Sequence, residues 1–525
     1  MRKTVIFALL LLIAVSVNAQ MLINASTPLQ KLVNAEQALY ILYVDSVDEQ
    51  KNVENAIRGM LEKLDPHSTY STPKEVEAMK EPLEGSFEGI GVQFNMIEDT
   101  LVVIQPTMNG PSEKVGIVPG DRIVTVNDTA IAGVKMERRD IMKRLRGKKG
   151  TKVKLGIMRR GISGVQTFVV VRDKIPVKSI DAHYMIRPET GYVRIGNFGA
   201  TTHDEFMESV QDLQKQGMKR LVIDLQDNGG GYLHAAAKIA NEFLESGEMI
   251  VYTEGRTVKR QEFMAHGDGR LRDLPVVILT NEFTASASEI LAGAMQDQDR
   301  GLVVGRRTFG KGLVQRPLEF DDGSMIRLTV AHYYTPTGRC IQKPYQKGQL
   351  KDYEMDLENR LKHGELTNPD SIHFADSLKT LTLKKHRVVY GGGGIMPDYF
   401  VPLDTLQYTR FHRQIAGRSI VVNALLKYID NHRKQLKREY ATFDDFNRRF
   451  EVPQTLIDNI IAEAEKQNVK PKDDEELAHT LPFLKTQLKA LVARDIWDMS
   501  EYFTIINEQN HIVKKALEVI IEDSN

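Results

Sequence analysis

Residues 276–295 read VVILTNEFTASASEILAGAM and combine an apolar run, a turn of small residues and a helical pattern. The first four residues are an apolar run typical of a buried strand, and residues 289–295 have the composition of a helix. Between them lies a turn of small residues that contains Ser286 and Ser288. A serine between a strand and a helix can be exposed on a tight turn, where backbone amides point at a reacting centre. The stretch therefore predicts an α/β fold with a candidate nucleophile after a strand.

A second stretch, residues 302–315, reads LVVGRRTFGKGLVQ and places Lys311 between two glycines after another apolar strand. A lysine acts as a general base only when its amine is neutral. Its free pKa is ~10.4, whereas a useful base has a pKa of ~7 to 8. Burial among Phe309, Leu313 and Val314, without an adjacent carboxylate, would lower the pKa in this direction. Lys311 is therefore a candidate base, and Gln315 could orient it without adding charge.

Together the two stretches resemble the C-terminal processing peptidases, or tail-specific proteases, a family of Ser/Lys serine proteases with an inserted PDZ domain. The Ser-Ala-Ser-Glu segment, the Phe-Gly-Lys-Gly motif and their spacing carry the resemblance, which covers roughly residues 30 to 405. It implies a ClpP/crotonase-like α/β core in which Ser286, Lys311 and Gln315 are catalytic. Ser288 is a rival nucleophile, but the family spacing favours Ser286. Glu289 and Asp297 are expected to play no more than a supporting part.

A glycine run after the apolar strand 221–225 is a candidate oxyanion site. The run reads QDNGGGY over residues 226–232, and a helix is expected from about Leu233 to Ser246. Glycines at a strand-to-helix turn expose backbone amides to an anion. The family has a similar Asn-x-Gly-Gly turn, so the resemblance implies that the amide of Gly229 or Gly230, together with that of Ala287, holds the oxyanion.

Residues 83–173 change to short strands and glycine turns and resemble a PDZ domain. The most specific signature is residues 119–127, PGDRIVTVN, and residues 89–92, GIGV, match the carboxylate-binding loop. Consecutive amides in such a loop can hold a chain-terminal carboxylate, and an extended peptide can add to the adjacent strand edge. The predicted peptide-binding residues are Gly89, Ile90, Gly91 and Val92 of the loop, with Ile141 and Leu145 on one face of a helix at 138–145.

The remaining regions complete a multidomain α/β chain. Residues 20–82 form an N-terminal helical region that ends in a turn containing His67, for which a structural role is expected. The protease core spans 174–405 with a charged insertion at 346–390, and residues 391–398, GGGGIMPD, are expected to form a flexible or close-packed turn. Residues 406–525 are all-helical, with three apolar stripes. The family does not explain this extension, and our hypothesis is a domain for dimerisation or substrate delivery.

Composition and the N-terminus restrict the cellular setting. The net charge of +0 gives no electrostatic reason for a nucleic-acid partner, and one cysteine among 525 residues excludes intrachain disulfides and multi-cysteine metal sites. No metal or cofactor is expected. Residues 1–19 combine Arg2 and Lys3, a short apolar run and a Val-Asn-Ala end, which predicts a cleaved secretory signal peptide. The mature protein is expected to be soluble, exported and periplasmic.

These observations predict an exported serine endopeptidase that binds apolar substrate C-termini through its PDZ domain. Protein or peptide substrates are the expected partners, while an adaptor protein and a homo-oligomer stay open. The alternatives are a non-catalytic PDZ scaffold on a protease-like core and a Ser-His-Asp hydrolase using His203, His234 or His332. A nucleotide site at residues 305–311 is disfavoured, because Gly312 stands where magnesium binding needs Ser or Thr.

Overall fold

The computed structural model describes residues 27–522. The predicted signal peptide of residues 1–19 lies outside these residues. The described chain divides into two compact units. The first contains residues 27–76, 315–330 and 345–356, and the second contains residues 77–314, 331–344 and 357–522.

The first unit begins with two helices and a short strand, α1 (Pro28–Leu42), α2 (Glu49–Leu61) and β1 (Thr69–Ser71). After α2, Oδ1 of Asp65 accepts the amide hydrogens of His67 and Ser68, which forms the turn into β1. β1 pairs antiparallel with residues 325–327. Nε2 of His67 lies 2.7 Å from the hydroxyl oxygen of Tyr353. These contacts hold a turn together, as expected for a structural histidine.

A β-domain follows the helix α3 (Pro73–Glu84). Its elements are β2 (Ser86–Gly89), β3 (Val92–Ile97), β4 (Thr100–Pro106), α4 (Pro111–Lys114), β5 (Arg122–Val126), β6 (Thr129–Ala130), α5 (Arg138–Leu145), β7 (Lys152–Met158), β8 (Val165–Val171) and β9 (Asp173–Pro176). The main sheet has the order β3-β4-β5-β7-β8, with β6 on β5, and β2 pairs separately with β9. Within the described residues β3 is therefore an edge strand, hydrogen-bonded only to β4.

The α/β core is built on a second six-stranded sheet. The chain runs through β10 (Ile180–Arg187), β11 (Thr190–Ile195), α6 (Thr202–Lys215), β12 (Arg220–Asp224), α7 (Leu233–Asn241), β13 (Met249–Glu254), β14 (Gln261–Met264), β15 (Val276–Thr280), α8 (Ala287–Asp297), β16 (Leu302–Gly305), β17 (Leu313–Glu319) and β18 (Met325–Tyr334). From β11 through β12 and β15 to β16 the sheet strands are parallel. They are apolar and buried, as parallel strands covered on both faces must be. Their carboxyl ends therefore meet at one edge.

The insertion and the glycine run after it lead to the last strand of this sheet. The insertion contains α9 (Leu350–Glu354), α10 (Asp356–Lys362), β19 (Lys379–Leu381) and β20 (Val388–Tyr390), and β21 (Tyr399–Phe400) then pairs with β16. In the glycine run, Gly394 has a φ of +92°, and a Cβ there would lie 2.6 Å from the carbonyl oxygen of Thr308. The turn is therefore close-packed.

Up to residue 522, where the described part of the chain ends, seven helices follow: α11 (Arg410–Gly417), α12 (Ile420–Glu439), α13 (Phe443–Arg449), α14 (Gln454–Lys466), α15 (Asp474–Ile496), α16 (Met499–Ile506) and α17 (His511–Glu522). The first six share an apolar cluster of their own. The last helix, α17, instead packs against one face of the α/β sheet. The opposite face is covered by α6, α7 and α8. The predicted helical extension therefore also supplies an outer layer of the core.

No helix within residues 27–522 combines the length and the apolar character needed to cross a membrane.

Candidate active site

Ser286 occupies a strained turn between β15 and α8. Its φ and ψ are +59° and −117°, a conformation that residues other than glycine rarely adopt and that costs of order 1–3 kcal/mol. The serine is half-buried, whereas Ala285 and Ala287 on either side are buried. A sharp, strained strand-to-helix turn of this kind is the form in which α/β-hydrolases expose their serine. The sequence lacks the Gly-x-Ser-x-Gly pattern of those enzymes, so the strain was not apparent from the residues.

The rival serine has a different environment. Ser288 is fully buried, and its hydroxyl donates a hydrogen bond of 3.0 Å to the backbone carbonyl of Asn228. A hydroxyl buried in this way supports the turn and does not face a substrate. Of the two serines, the geometry favours Ser286 as a nucleophile.

The glycine run after β12 lies directly against the Ser286 turn. The amide of Ala285 donates to the carbonyl of Asn228 at 3.0 Å. A Cβ added to Gly230 would lie 2.7 Å from Cβ of Ser286 and 2.9 Å from the amide nitrogen of Ala287. The structure therefore brings the three predicted oxyanion residues Gly229, Gly230 and Ala287 to one place.

The two glycine amides differ in their partners. The amide of Gly230 donates to Oδ1 of Asn228 at 2.8 Å, inside the loop. Gly229 is exposed, and among the described residues its amide has no recorded acceptor. Ala287 is the first residue of α8, where an amide lacks an acceptor within the helix. This conformation favours the amides of Gly229 and Ala287 as the pair available to an oxyanion.

Glu289 links the serine turn to the lysine loop. Its carboxylate is fully buried, and Oε2 accepts the amide hydrogens of Ser286 at 2.7 Å and Lys311 at 2.9 Å. Oε1 accepts from the amide of Gly310 at 2.8 Å and from the hydroxyl of Thr308 at 2.5 Å. Burial raises the pKa of Glu289, and these four hydrogen bonds oppose that rise. One oxygen atom therefore fixes the backbone of Ser286 relative to that of Lys311.

Further contacts hold the loop that carries Lys311. The buried Tyr333 donates its hydroxyl to the carbonyl of Ser286 at 3.2 Å and its amide to the carbonyl of Gly312 at 3.0 Å. Nζ of Lys343 lies 4.0 Å from the ring centroid of Phe309. Lys311 itself is half-buried. The candidate base thus lies on a loop tied at several points to the serine turn.

Gln315 lies in the first unit, and its Nε2 donates a hydrogen bond to the backbone carbonyl of His67. Its role in orienting Lys311 stays a prediction. The pairing with His67 explains why a glutamine and a turn 248 residues apart in the chain both belong to this unit.

The three candidate histidines have partners away from Ser286. Nε2 of His203 lies 2.9 Å from Oε1 of Glu242. The ring of His234 packs against Phe263, and Nδ1 of His332 lies 3.9 Å from Sγ of Cys340. Within residues 27–522 no histidine is recorded in contact with Ser286, so the geometry gives no support to a Ser-His-Asp arrangement.

The predicted peptide-binding loop of the β-domain lies between β2 and β3. Gly91 has a φ of +68°, and a Cβ there would lie 2.8 Å from Cδ1 of Ile175, so the loop needs glycine at this position. Ile141 and Leu145 on α5 are buried in the apolar cluster of the domain. In this conformation they do not form an open pocket, and their contact with a bound peptide stays a prediction.

A cavity of about 920 Å³ lies at the carboxyl edge of the sheet. Its walls include Asp227, Phe283 and Arg306, which belong to the loops that lead to Gly229, Ser286 and Lys311. Helices α15 and α16, strands β10 and β11 and residues 403–408 supply much of the remaining wall. Within the described chain, no group of three or more His, Cys, Asp or Glu side chains could hold a metal ion.

Comparison with protein-family models finds four matched regions. Residues 189–355 match peptidase family S41, residues 89–165 match the PDZ domain, and residues 14–74 match the N-terminal domain of the activating protease CtpB. Residues 411–498 match a family of unknown function. These regions define a serine peptidase with a PDZ domain.

Curated relatives agree with these matches. The carboxy-terminal processing protease CtpA of Bacillus subtilis (strain 168) is 34% identical over 344 residues, which are 64% of this chain and 73% of the relative. The protease CtpB of the same organism is 32% identical over 63% of this chain and 69% of its own length. A solved photosystem II D1 C-terminal processing protease is 32% identical, covers 61% of this chain and 85% of its own, and has a TM-score of 0.34. The chain belongs to the carboxy-terminal processing proteases of peptidase family S41.

Proposed function

We propose that this protein is an exported serine endopeptidase that holds the C-terminus of a substrate on its PDZ domain and cuts peptide bonds with a Ser286–Lys311 dyad. The observation that carries the proposal is the bridge through Glu289, whose Oε2 accepts the amide hydrogens of both Ser286 and Lys311. A non-catalytic scaffold would have no need for this bridge or for the strained conformation of Ser286.

The proposed reaction begins when Oγ of Ser286 attacks the carbonyl carbon of the scissile bond and its proton passes to the neutral amine of Lys311. The amides of Ala287 and Gly229 stabilise the negative oxygen of the tetrahedral intermediate. The C–N bond then breaks, and the Lys311 ammonium gives its proton to the leaving amine. Water hydrolyses the resulting ester, Lys311 again takes and returns the proton, and Ser286 regains its hydroxyl.

Recognition in this proposal uses the loop from Gly89 to Val92 and the free edge of β3. The amides of the loop would hold a terminal carboxylate, and the peptide would extend the sheet beside β3. Export rests on the pattern of residues 1–19, which is that of a secretory signal peptide. The site of action would be the periplasm.

The test is mass spectrometry of an unstructured protein with an apolar C-terminus, incubated with residues 20–525 of the wild type, Ser286→Ala and Lys311→Ala. We expect fragments from the wild type alone, and slower cleavage when the substrate carboxylate is amidated. The wild-type rate should rise with pH, because the base must lose its proton. Cleavage by Lys311→Ala at the wild-type rate would exclude the dyad, and equal rates on amidated substrate would exclude carboxylate recognition.

A further inference from the structure

Three segments of the PDZ domain contact a single helix of the C-terminal region. Glu98, in the turn between β3 and β4, pairs with Lys427 at 2.5 Å. Arg122, on β5, pairs with Asp430 at 2.5 Å. In the turn after β7, Arg160 donates to the carbonyl of Asp430 at 3.0 Å and to Oδ1 of Asn431 at 2.9 Å. Residues 427, 430 and 431 share one face of α12, because residues three and four apart are neighbours on a helix.

These contacts place α12 at one particular end of the edge strand β3. The strand runs from Val92, beside the carboxylate-binding loop, to Ile97 at the turn with Glu98. A peptide whose terminal carboxylate is held by the loop must run antiparallel to β3 and leave it at Ile97. Six residues of extended chain span about 20 Å. The segment roughly six residues before the substrate terminus would therefore arrive at the contact with α12.

A groove of about 840 Å³ begins at that point. Met96, Ile97 and Glu98 form one end of it, and the facing sides of α12 and α14 form its walls. Its volume lies in the upper part of the range of ~300–1,000 Å³ typical of ligand sites.

The walls of the groove are rich in side-chain amides. The amide residues that line it are Asn423, Asn431, Gln435, Asn459 and Gln467, and all five are exposed. An amide both donates and accepts hydrogen bonds, so it can pair with the N–H and C=O groups of an extended backbone whatever the side chains. The rings of Tyr428 and His432 stack at 4.4 Å and add an apolar surface. This chemistry suits a polypeptide of variable sequence.

We propose that the groove between α12 and α14 binds the polypeptide substrate upstream of the C-terminus held by the PDZ domain. The occupant is an extended, unfolded segment from about the sixth residue before the terminus onward. The groove continues the peptide path of the PDZ domain, and the contacts of Glu98, Arg122 and Arg160 with α12 keep the two surfaces aligned. This inference rests on the proposed function, because it requires the PDZ domain to bind substrate C-termini.

The test measures peptide binding by residues 20–525 carrying Ser286→Ala, which prevents cleavage. Two labelled peptides share their last six residues and a free carboxylate, and have total lengths of six and fourteen residues. Fluorescence anisotropy should show about tenfold tighter binding of the longer peptide, which is about 1.4 kcal/mol. Ala462→Trp, on the groove side of α14, should remove this gain and leave the six-residue peptide unaffected. Glu465→Trp, exposed on the same helix outside the groove, is the matched control and should keep the gain.

A second readout does not depend on the folding of the groove variants. A photoreactive residue eight positions before the peptide terminus should label residues 420–467, and one two positions before it should label the PDZ domain. If the six-residue peptide binds but the longer one binds no tighter and labels neither helix, the groove inference is overturned while the proposed PDZ recognition stands. If the six-residue peptide does not bind, or binds equally well when amidated, PDZ recognition itself fails.

Discussion

At the residue scale, two adjacent glycines give the sharpest test of the candidate oxyanion site. Gly230 has a φ of +101°, and a Cβ there would lie 2.7 Å from both the carbonyl oxygen of Ala285 and Cβ of Ser286. Gly229 has no atom within 4 Å of its would-be Cβ. We expect Gly230→Ala to lower kcat by about 10²–10³-fold, because the loop must move away from Ser286. Gly229→Ala keeps its amide and should stay within about threefold of wild type.

Activity and thermal unfolding of both variants, measured side by side, check this expectation. Equal losses of kcat in the two would mean that the loop lies further from Ser286 than the structure places it.

Glu289 is the second residue at which the geometry makes a specific prediction. Glutamine at this position keeps one acceptor oxygen, so two of the four hydrogen-bond donors would face an NH₂ group. A buried donor left without an acceptor costs about 1–3 kcal/mol. Depending on which oxygen is replaced, the strain falls either on the amides of Ser286 and Lys311 or on that of Gly310, the residue before Lys311. We expect Glu289→Gln to lower kcat by about 10²-fold with a smaller change in KM, since a small misplacement of reacting groups has that effect.

The matched control is Asp297→Asn at the far end of the same helix. Asp297 is also fully buried, but it accepts hydrogen bonds from Thr337 and pairs with Arg339. Asp297→Asn should lower the unfolding temperature and leave the kcat of the folded enzyme near that of wild type. A Glu289→Gln enzyme with wild-type kcat would show that the bridge is not required for catalysis.

Sequence motifs indicated Ser286 and Lys311 as the candidate catalytic pair but gave Glu289 no more than a supporting part. The pattern Ser286-Ala-Ser-Glu289 fits a capping box, in which a glutamate bonds the amide of the residue three before it. That signal could have indicated the contact with Ser286. The contacts of the same carboxylate with Gly310 and Lys311 join segments about twenty residues apart, and no local pattern reports them.

At the element scale, apolar periodicity located most strands and helices but not their packing partners. Residues 138–145 were predicted as a helix and have those bounds in the structure. The helix from Leu233 was expected to reach Ser246 and ends at Asn241. Phe243 and Leu244 stay buried beyond its end, so the apolar pattern continues where the helix does not.

The last helix, α17, shows the same limit of periodicity. Its apolar stripe was predicted, but an apolar stripe does not identify the surface that packs against it. In the structure that surface is the α/β sheet. Truncation at residue 405 would therefore uncover one face of the core. An effect of this deletion could come either from loss of a dimerisation or delivery domain or from unfolding of the core. Point substitutions are therefore the better probe.

Two neighbouring isoleucines on α17 provide that probe. Ile520 is 1% exposed and packs in the cluster between α17 and the sheet, whereas Ile521 is 48% exposed. We expect Ile520→Ala to lower the free energy of unfolding by about 2–5 kcal/mol, as large-to-small changes in a core do. Ile521→Ala should change it by less than about 0.5 kcal/mol. Urea titration of the two variants measures both changes in the free energy of unfolding. Similar unfolding midpoints would mean that α17 does not cover the sheet in solution.

At the scale of the whole molecule, the contact between the PDZ domain and α12 is a feature that no pattern in the sequence predicts. Arg122 and Asp430 are 308 residues apart, and each is an ordinary charged residue of its own element. Periodicity and motif resemblance describe one segment at a time, so they indicated the helices and the PDZ domain without pairing them. The alignment of the two proposed peptide-binding surfaces follows only from the folded chain.

The pair of Arg122 and Asp430 can test whether this alignment matters for the proposed proteolysis. Their side chains are 28% and 14% exposed, so the charges are screened less than a surface pair. Asp430→Arg would put two arginines together, and like charges at an interface disfavour docking. A change of about 1.4 kcal/mol shifts the ratio of docked to undocked molecules tenfold. We expect a larger radius of gyration by small-angle scattering and slower cleavage of long substrates.

Exchanging the two charges tests whether the effects of Asp430→Arg come from loss of this ion pair or from another consequence of the substitution. The double variant Arg122→Asp with Asp430→Arg restores opposite charges and should recover both readouts, whereas Arg139→Asp, on the exposed side of α5, should leave both at wild-type values. Raising the salt concentration should weaken docking in the wild type more than in Asp430→Arg, because only the former has an attraction to screen. If the double variant stays as expanded and slow as the single one, the contact is not held by this pair, and alignment of the PDZ domain with the groove must depend on other atoms.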